Sequence, residues 1–376
     1  MFKEIIIELL VEETKISKEE INKLLEIPPK LELGDHSFPC FQFSNPAKND
    51  EMWSDVEKDF FQRKNPSDIA KHFSDRLNKK LPKEIEKVES KGPYVNFFVN
   101  KKILAQKIIK INSNFGKGKN RKKILIEYSS PNSNKPLHLG HLRNIALGES
   151  MANIFEYIGN KVIRVNLNND KGMPICKTML AYQKFANDKT PKSENKKSDH
   201  FVGDLYVLYN EKAKQDPSLE EKARELLKLQ EAGDKKTIEL WKKIINWALS
   251  GYNETYKIFG TKFNKEYYES EIYQSGKEIV MKGLKDGIFE KRRDGAIIIN
   301  LGIIGNDNLG EKVLLREDGT SVYITQDLEL ARIKTKEFHP DLLINVVGNE
   351  HDYHFKVLYE ILKKLGNKEE NYHLAY

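Results

Sequence analysis

His138 and His141 stand three residues apart at the end of the run Ser129-Ser130-Pro131-Asn132-Ser133-Asn134-Lys135-Pro136-Leu137. The run follows a stretch that reads as a strand and opens one that reads as a helix, so it occupies a strand-to-helix turn. Free amides at a helix start suit phosphate, and ligands of open α/β sheets bind at the carboxyl ends of strands. At this spacing both imidazoles can lie on one side of the first helical turn and donate to phosphate oxygens as charge develops. Gly140 between them lets a nucleotide approach the backbone closely, and Lys135 adds a mobile positive charge. The same pair could also do no more than cap or pack the helix start, the commoner role of an isolated pair.

Tyr323 and Asp327, four residues apart at another expected helix start, put a phenol and a carboxylate on one side, where together they can bind a cation. Asp327 could equally complement a helix dipole. Asn168-Asn169-Asp170-Lys171-Gly172 is a turn signal after the second strand of this region. Glu269, in Tyr268-Glu269-Ser270-Glu271, reads by itself as part of an acidic surface loop. Gly348-Asn349-Glu350-His351-Asp352 follows the apolar run Leu342 to Val347 and is again a loop at a strand's carboxyl end, where His351 could simply cap the next helix.

The elements that must position these residues follow from periodicity. Ile124 to Tyr128, a helix from Gly140 to Gly159, and Val162 to Leu167 alternate as strand, helix and strand, which predicts a doubly wound parallel sheet with crossover helices. A lysine-rich polar stretch near residues 187–199 leads into a helical pattern through Ile238, Trp241, Ile245, Ala248, Tyr252 and Tyr256, so a mainly helical insertion is expected at about 187–262. The sheet pattern is expected to resume at Ala296 to Leu301 and again at Leu342 to Val347.

Ahead of this α/β domain, expected over 120–376, residues 1–115 read as a small α+β domain. Phe2, Ile5, Ile6, Leu9 and Leu10 recur at helical spacing, Ser17 with Glu20 forms a capping-box pattern, and Asn65-Pro66 opens a helix with Ile69, Phe73 and Leu77 on one face. Tyr94 to Val99 reads as a strand, and Asn112 to Lys123 as a linker.

Composition narrows the classes. With 376 residues, 39% apolar and 32% charged, the chain has room for two or three cores and no apolar run able to span a bilayer. Phe2-Lys3-Glu4 is no secretory start, so a cytoplasmic location is the default expectation. Cys40 and Cys176 are too few for a disulfide framework or a cysteine zinc site, and no metal ligands are assigned. A net charge of +7 is compatible with a polyanionic partner.

His138-Leu139-Gly140-His141 resembles the His-Ile-Gly-His motif of class I aminoacyl-tRNA synthetases, and Ser129-Ser130-Pro131-Asn132 followed by Lys135 resembles the arginyl member. Leu33-Gly34-Asp35 and Gly92-Pro93-Tyr94-Val95-Asn96-Phe97-Phe98 are similar to that family's additional amino-terminal domain, which contacts the tRNA D-loop. The resemblance implies a Rossmann-like catalytic domain and an arginine-tRNA ligase that uses ATP, with Mg²⁺ on the nucleotide, to activate L-arginine and transfer it to tRNA(Arg). It assigns Lys135, His138 and His141 to phosphate stabilisation, and His138, Gly140, His141, Gly348 and Asn349 to ATP. Asn132, Glu269, Tyr323, Asp327 and His351 are assigned to arginine. Asn96, on an exposed face of Tyr, Asn and Lys side chains, is the candidate contact to an unpaired tRNA base. A monomer without membrane association is expected.

The resemblance also implies an incomplete chain, since relatives continue past His373-Leu374-Ala375-Tyr376 into a Lys-Met-Ser-Lys-Ser-like loop and an anticodon-binding domain. Two other readings stay open at this point. One is a non-catalytic tRNA-binding fragment, and the other a nucleotidyltransferase sharing the His-x-Gly-His element, which does not account for Tyr323 to Asp327.

Overall fold

Local signals in the first hundred residues become helices and strands with identifiable causes. The structure is a computed structural model that describes residues 2–44, 64–272, 275–304 and 307–376. It divides into two compact units, Met1–Phe115 and Gly116–Tyr376. In the first, helix α1 (Phe2–Thr14) buries Ile6, Ile7 and Leu10, and α2 (Lys18–Leu24) starts where Ser17 Oγ accepts the Glu20 amide at 3.3 Å. Strand β1 (His36–Pro39) follows. Helix α3 (Pro66–Leu77) is capped by Asn65 Oδ1, which accepts the amides of Ser67 and Asp68 at 3.0 Å each, and it buries Ile69, Phe73 and Leu77. Strands β2 (Ile85–Lys91) and β3 (Tyr94–Val99) precede α4 (Lys101–Ile109).

The antiparallel sheet of this unit runs β1-β3-β2, so β3 is central. That placement corrects the expectation that Asn96 stands on an exposed face. Val95, Asn96 and Phe97 are all buried, and Asn96, only 4% exposed, accepts the Ser37 hydroxyl at 2.6 Å. Strict in-and-out alternation needs one solvated face, which a central strand under a helix and a loop does not have.

The second unit holds a five-stranded, wholly parallel sheet in the order β13-β12-β4-β5-β6. Its elements are β4 (Lys123–Glu127), α5 (Leu139–Tyr157), β5 (Lys161–Asn168), α6 (Met173–Phe185), α7 (Ser198–Gln215), α8 (Ser218–Glu231), α9 (Lys235–Phe259) and β6 (Lys265–Tyr268). After them come α10 (Glu269–Ile272), α11 (Gly276–Lys285), β7 (Glu290–Lys291), β8 (Ile297–Asn300), β9 (Ile303–Ile304), β10 (Asp307–Asn308) and β11 (Glu311–Leu315). The chain then forms α12 (Tyr323–Phe338), β12 (Leu342–Val346), α13 (Asp352–Lys364) and β13 (Glu370–Leu374).

Helices α7 to α9 lie in the stretch between β5 and β6, where a helical insertion is expected. The strand at Ala296 to Leu301 exists as β8 but does not belong to the parallel sheet. It pairs antiparallel with β7 and β11, and its Ile297 and Ile299 join a core with Val280, Leu314, Leu328 and Phe355. An apolar run reports burial, not which sheet the strand enters.

Close packing fixes α5 against the sheet at Gly148, where an added Cβ would sit 2.3 Å from the Tyr128 ring. Among the described residues, no helix is long and apolar enough to cross a membrane.

Candidate active site

The sheet order makes the chain run outward from β4 to β5 and β6, then return to the other side of β4 as β12. The switch point therefore lies between β4 and β12, where the loops leaving both strands diverge and open a crevice. Asn144, buried on α5, ties the two exits together: its Oδ1 accepts the Ser129 amide at 2.6 Å, and its Nδ2 donates to the Val346 carbonyl. Directly after β4, Ser129 (φ 76°) and Ser130 (φ 44°) are both left-handed, a conformation costing a side-chain-bearing residue on the order of 1–3 kcal/mol. The strain is held by partners from three elements. Besides Asn144, Tyr256 OH lies 2.7 Å from Ser129 Oγ, and Asn166 Oδ1 accepts the Ser130 amide at 2.9 Å.

Helix α5 begins with a histidine version of a capping box. His138 is the N-cap and its Nδ1 accepts the Gly140 amide at 3.1 Å, while His141 Nδ1 accepts the His138 amide at 3.2 Å. The rings lie close, with centroids 3.9 Å apart and planes tilted by 42°. The capping role and the chemical role are thus not alternatives. Each Nδ1 is occupied as an acceptor, so a neutral ring carries its hydrogen on Nε2, which remains free to donate. Burial, reinforced by the nearby charges of His138 and Lys135, pulls the His141 pKa down to about 4, so this ring is a neutral donor at pH 7.

The loop leading into this helix lines, through Asn132, a cavity of about 280 Å³ whose lining also includes Lys171, Glu269, Tyr323, Gln326 and Asp327. Glu269 reaches it from the end of β6. Asp170, 2% exposed, anchors that turn by accepting the Ser270 amide at 2.9 Å and the Ser270 hydroxyl at 2.7 Å. Burial, with the charges of Asp170 and Asp327, pushes the Glu269 carboxyl up to about 7. Tyr323 and Asp327 sit on the first two turns of α12, and Asp327 Oδ2 meets His354 Nε2 of α13 at 2.7 Å. That hydrogen bond, with the Asp327 charge, raises the His354 pKa against the opposing effect of burial. An acidic cavity with a phenol and an amide at its rim suits a cation able to donate several hydrogen bonds.

Helix α9 braces both loops from behind. Tyr252, fully buried, directs its hydroxyl to the carbonyls of Asn132 (2.9 Å) and Lys135 (2.6 Å), and Trp241 Nε1 donates to the Asp170 carbonyl at 2.7 Å. With Tyr256 on Ser129, one helix face holds residues 129, 132, 135 and 170. On α7, Gly203 leaves the room that Pro136 fills: a Cβ there would meet Pro136 Cδ at 2.5 Å.

Comparison with known proteins decides what this arrangement belongs to. Residues 101–376 match the family model of the class I (R) tRNA synthetase catalytic domain, and residues 1–99 the arginyl tRNA synthetase N-terminal domain. The chain belongs to the arginyl-tRNA synthetase family. Among its relatives, the arginine–tRNA ligase of Treponema denticola is 46% identical over 96% of the chain, and that of Borrelia hermsii 43% identical over 96%. The chain spans 60% of the length of both. The fold is shared with the arginyl-tRNA synthetase of Thermus thermophilus, at a TM-score of 0.73 and 24% identity, covering all of this chain and 66% of the other. The Plasmodium falciparum enzyme gives 0.66 and 18%, over 94% of this chain and 60% of the other.

Within this family's fold, the residues singled out in the sequence fall into three groups. Asn132, Glu269, Tyr323 and Asp327 line one cavity, and Lys135, His138, Gly140 and His141 form the loop and helix start that continue from Asn132. Gly348 and Asn349 leave the end of β12 across the switch point, and Tyr376 bridges them to the helix start, with its carbonyl 3.4 Å from the Asn349 amide and its hydroxyl 3.2 Å from the Gly140 carbonyl. His351 is outside the cavity lining, half exposed, with Nε2 3.9 Å from Glu350. The histidine that meets a lining residue is His354, three residues later, which lies outside the lining itself and touches Asp327.

Asn96 belongs to the first unit, where it lines a cleft of about 360 Å³ with Glu26, Pro28, Leu33, Lys91 and Tyr94. A larger cleft of about 610 Å³ near Asp307, Lys356, Lys363 and Asn371 is a poorer candidate. It reaches the amino end of β13, the rim opposite the crevice, and four of its charged residues are paired as Lys356–Asp307 and Lys363–Glu360. Among the described residues, no three His, Cys, Asp or Glu side chains converge as a metal site.

Proposed function

We propose that this chain carries the arginine-activating centre of an arginine-tRNA ligase: ATP and L-arginine react to give arginyl-adenylate and pyrophosphate, and the arginyl group passes to the terminal ribose of tRNA(Arg). The observation that carries the reading is the convergence of Asn132, Glu269, Tyr323 and Asp327 on one acidic cavity, with Asn132 on the loop that leads into the paired histidines. Glu269 and Asp327 meet the guanidinium, whose planar fork can engage two acceptors at once. Asn132 and the Tyr323 hydroxyl orient the rest of the substrate.

The arginine carboxylate attacks the α-phosphorus in line, and pyrophosphate leaves. No side chain need accept a proton in this step, so the protein contributes position and charge. Nε2–H of His138 and His141 and the Lys135 ammonium stabilise charge on the phosphates, and Gly140, Gly348 and Asn349 give the nucleotide close access to backbone. Mg²⁺ would come with ATP and supply charge screening; among the described residues no three His, Cys, Asp or Glu side chains converge to hold it. The first unit takes an unpaired tRNA base in the cleft beside Tyr94 and Asn96, and the reaction takes place in the cytoplasm.

Arginine-dependent exchange of pyrophosphate into ATP, run with and without tRNA(Arg), tests the reading. Exchange is expected when arginine, ATP and tRNA are all present, and no exchange under that condition from a folded sample would contradict it. Asp327→Asn should weaken arginine binding by about 100-fold, the order of a lost charge-assisted contact, and leave ATP binding within about twofold. Equal loss of both ligands would remove Asp327 from the arginine pocket.

A further inference from the structure

The carboxylate of Asp327 is held in a way the arginine reading does not itself require. His354 comes from α13 and Asp327 from α12, and their side chains meet at 2.7 Å while each keeps 32% exposure. The contact uses Oδ2. Among the described residues, Oδ1 has no hydrogen-bond partner, and Asp327 is part of the cavity lining. The imidazole is itself braced, because Phe355, 9% exposed, lies edge-on against it at 5.7 Å and 83°.

An aspartate carboxyl turns in a broad, roughly twofold torsional well, so an unsupported one presents no fixed plane. A guanidinium is planar and gains from a carboxylate held in its own plane, whereas an ammonium is a point charge nearly indifferent to that orientation.

We propose that His354 is a positioning and specificity-determining residue: by engaging Oδ2 it fixes the plane of the Asp327 carboxylate and leaves Oδ1 for a guanidinium, so the site selects guanidinium over ammonium side chains. The proposal rests on reading the cavity as the arginine site. The same hydrogen bond raises the His354 pKa against the lowering effect of burial. Selection by this route needs no added bulk in the pocket. It depends on a hydrogen bond made on the side of the carboxylate away from the substrate.

The test compares His354→Phe and His354→Gln with the parent chain by calorimetric titration with arginine, lysine and ATP. His354→Phe is expected to weaken arginine about tenfold and to leave lysine and ATP within about twofold, so the preference for arginine narrows by the same factor. His354→Gln, whose amide N–H can reach the same oxygen, is expected to recover most of the preference. A simple packing role would make both variants lose arginine, lysine and ATP together, and that result overturns the proposal. An unchanged arginine-to-lysine ratio in His354→Phe also overturns it.

Asp327→Asn, measured alongside, separates the two levels of the argument. Weakened arginine binding there with none in His354→Phe leaves the arginine site standing and removes His354 from it. Unaltered arginine binding in Asp327→Asn, or none in the parent chain, removes both.

Discussion

Glu269 illustrates how a single side chain sets the conditions under which this site works. In the empty cavity its carboxyl holds a proton up to about pH 7, because burial and two neighbouring acids disfavour the charge. A guanidinium needs that charge, so the proton must leave as arginine binds. The sign follows directly: affinity rises with pH through 7 and falls below it. With about a tenth of the sites ionised one pH unit below the pKa, arginine should bind roughly tenfold more weakly at pH 6 than at pH 8. Titration calorimetry across that range checks this, and Glu269→Gln should bind weakly at pH 8 with a shallower slope. An equal slope in the variant would place the titrating group elsewhere.

Much of this residue-level picture was legible in the sequence, because Lys135, His138 and His141 are adjacent in the chain and Tyr323 and Asp327 are one turn apart. What was not legible depends on depth and on the third dimension. Asn96 reads as exposed from its type, yet its central strand buries it against Ser37. His351 and His354 differ by one helical turn, and only the meeting of α12 and α13 shows which one faces Asp327.

At the level of elements, the helices between β5 and β6 form part of the catalytic scaffold. Tyr252 and Tyr256 on α9 stand four residues apart, and Trp241 lies eleven residues before Tyr252, about three turns, so all three share the face that meets the loops after β4 and β5. The sequence showed the apolar periodicity of this helix but not that its polar tips carry two loops, since the partners are backbone carbonyls with no signature of their own. The edge strands β6 and β13 were also unannounced. Their sequences, Lys-Glu-Tyr-Tyr and Glu-Asn-Tyr-His-Leu, lack the apolar run that marks the central strand β12, because an edge is covered less completely.

Tyr252→Phe tests the scaffold. It removes the donor while keeping the ring, so the single hydroxyl hydrogen that the Asn132 and Lys135 carbonyls share is lost, at a cost of about 1–3 kcal/mol. The thermal midpoint of the second unit should fall by several degrees. Pyrophosphate exchange should fall about tenfold in kcat, with a smaller change in the KM for ATP, because Lys135 is displaced from the transition state. A normal kcat despite the lower midpoint would show that the tyrosine stabilises the fold without aligning the loop.

For the molecule as a whole, the apolar cores follow the division into two units. One cluster, from Ile6 to Phe97, lies wholly within the first, and the others lie wholly within the second. Among the described residues each cluster draws on one unit, so damage to one core should stay local. Phe73 is the sharpest probe: it is fully buried, packs against Phe43 at 5.0 Å and lies far in sequence from every residue of the α/β site. Truncation to alanine leaves a cavity and should cost about 3–5 kcal/mol. Scanning calorimetry is expected to resolve a lowered transition for the first unit beside an unmoved one for the second, with arginine and ATP affinities unchanged. Charging of tRNA should nevertheless decline, because the cleft lined by Tyr94 and Asn96 stands on the strand that Phe73 supports. Loss of arginine binding in this variant would mean that the site draws stability from the first core, and the two units would then have to be treated as one cooperative structure.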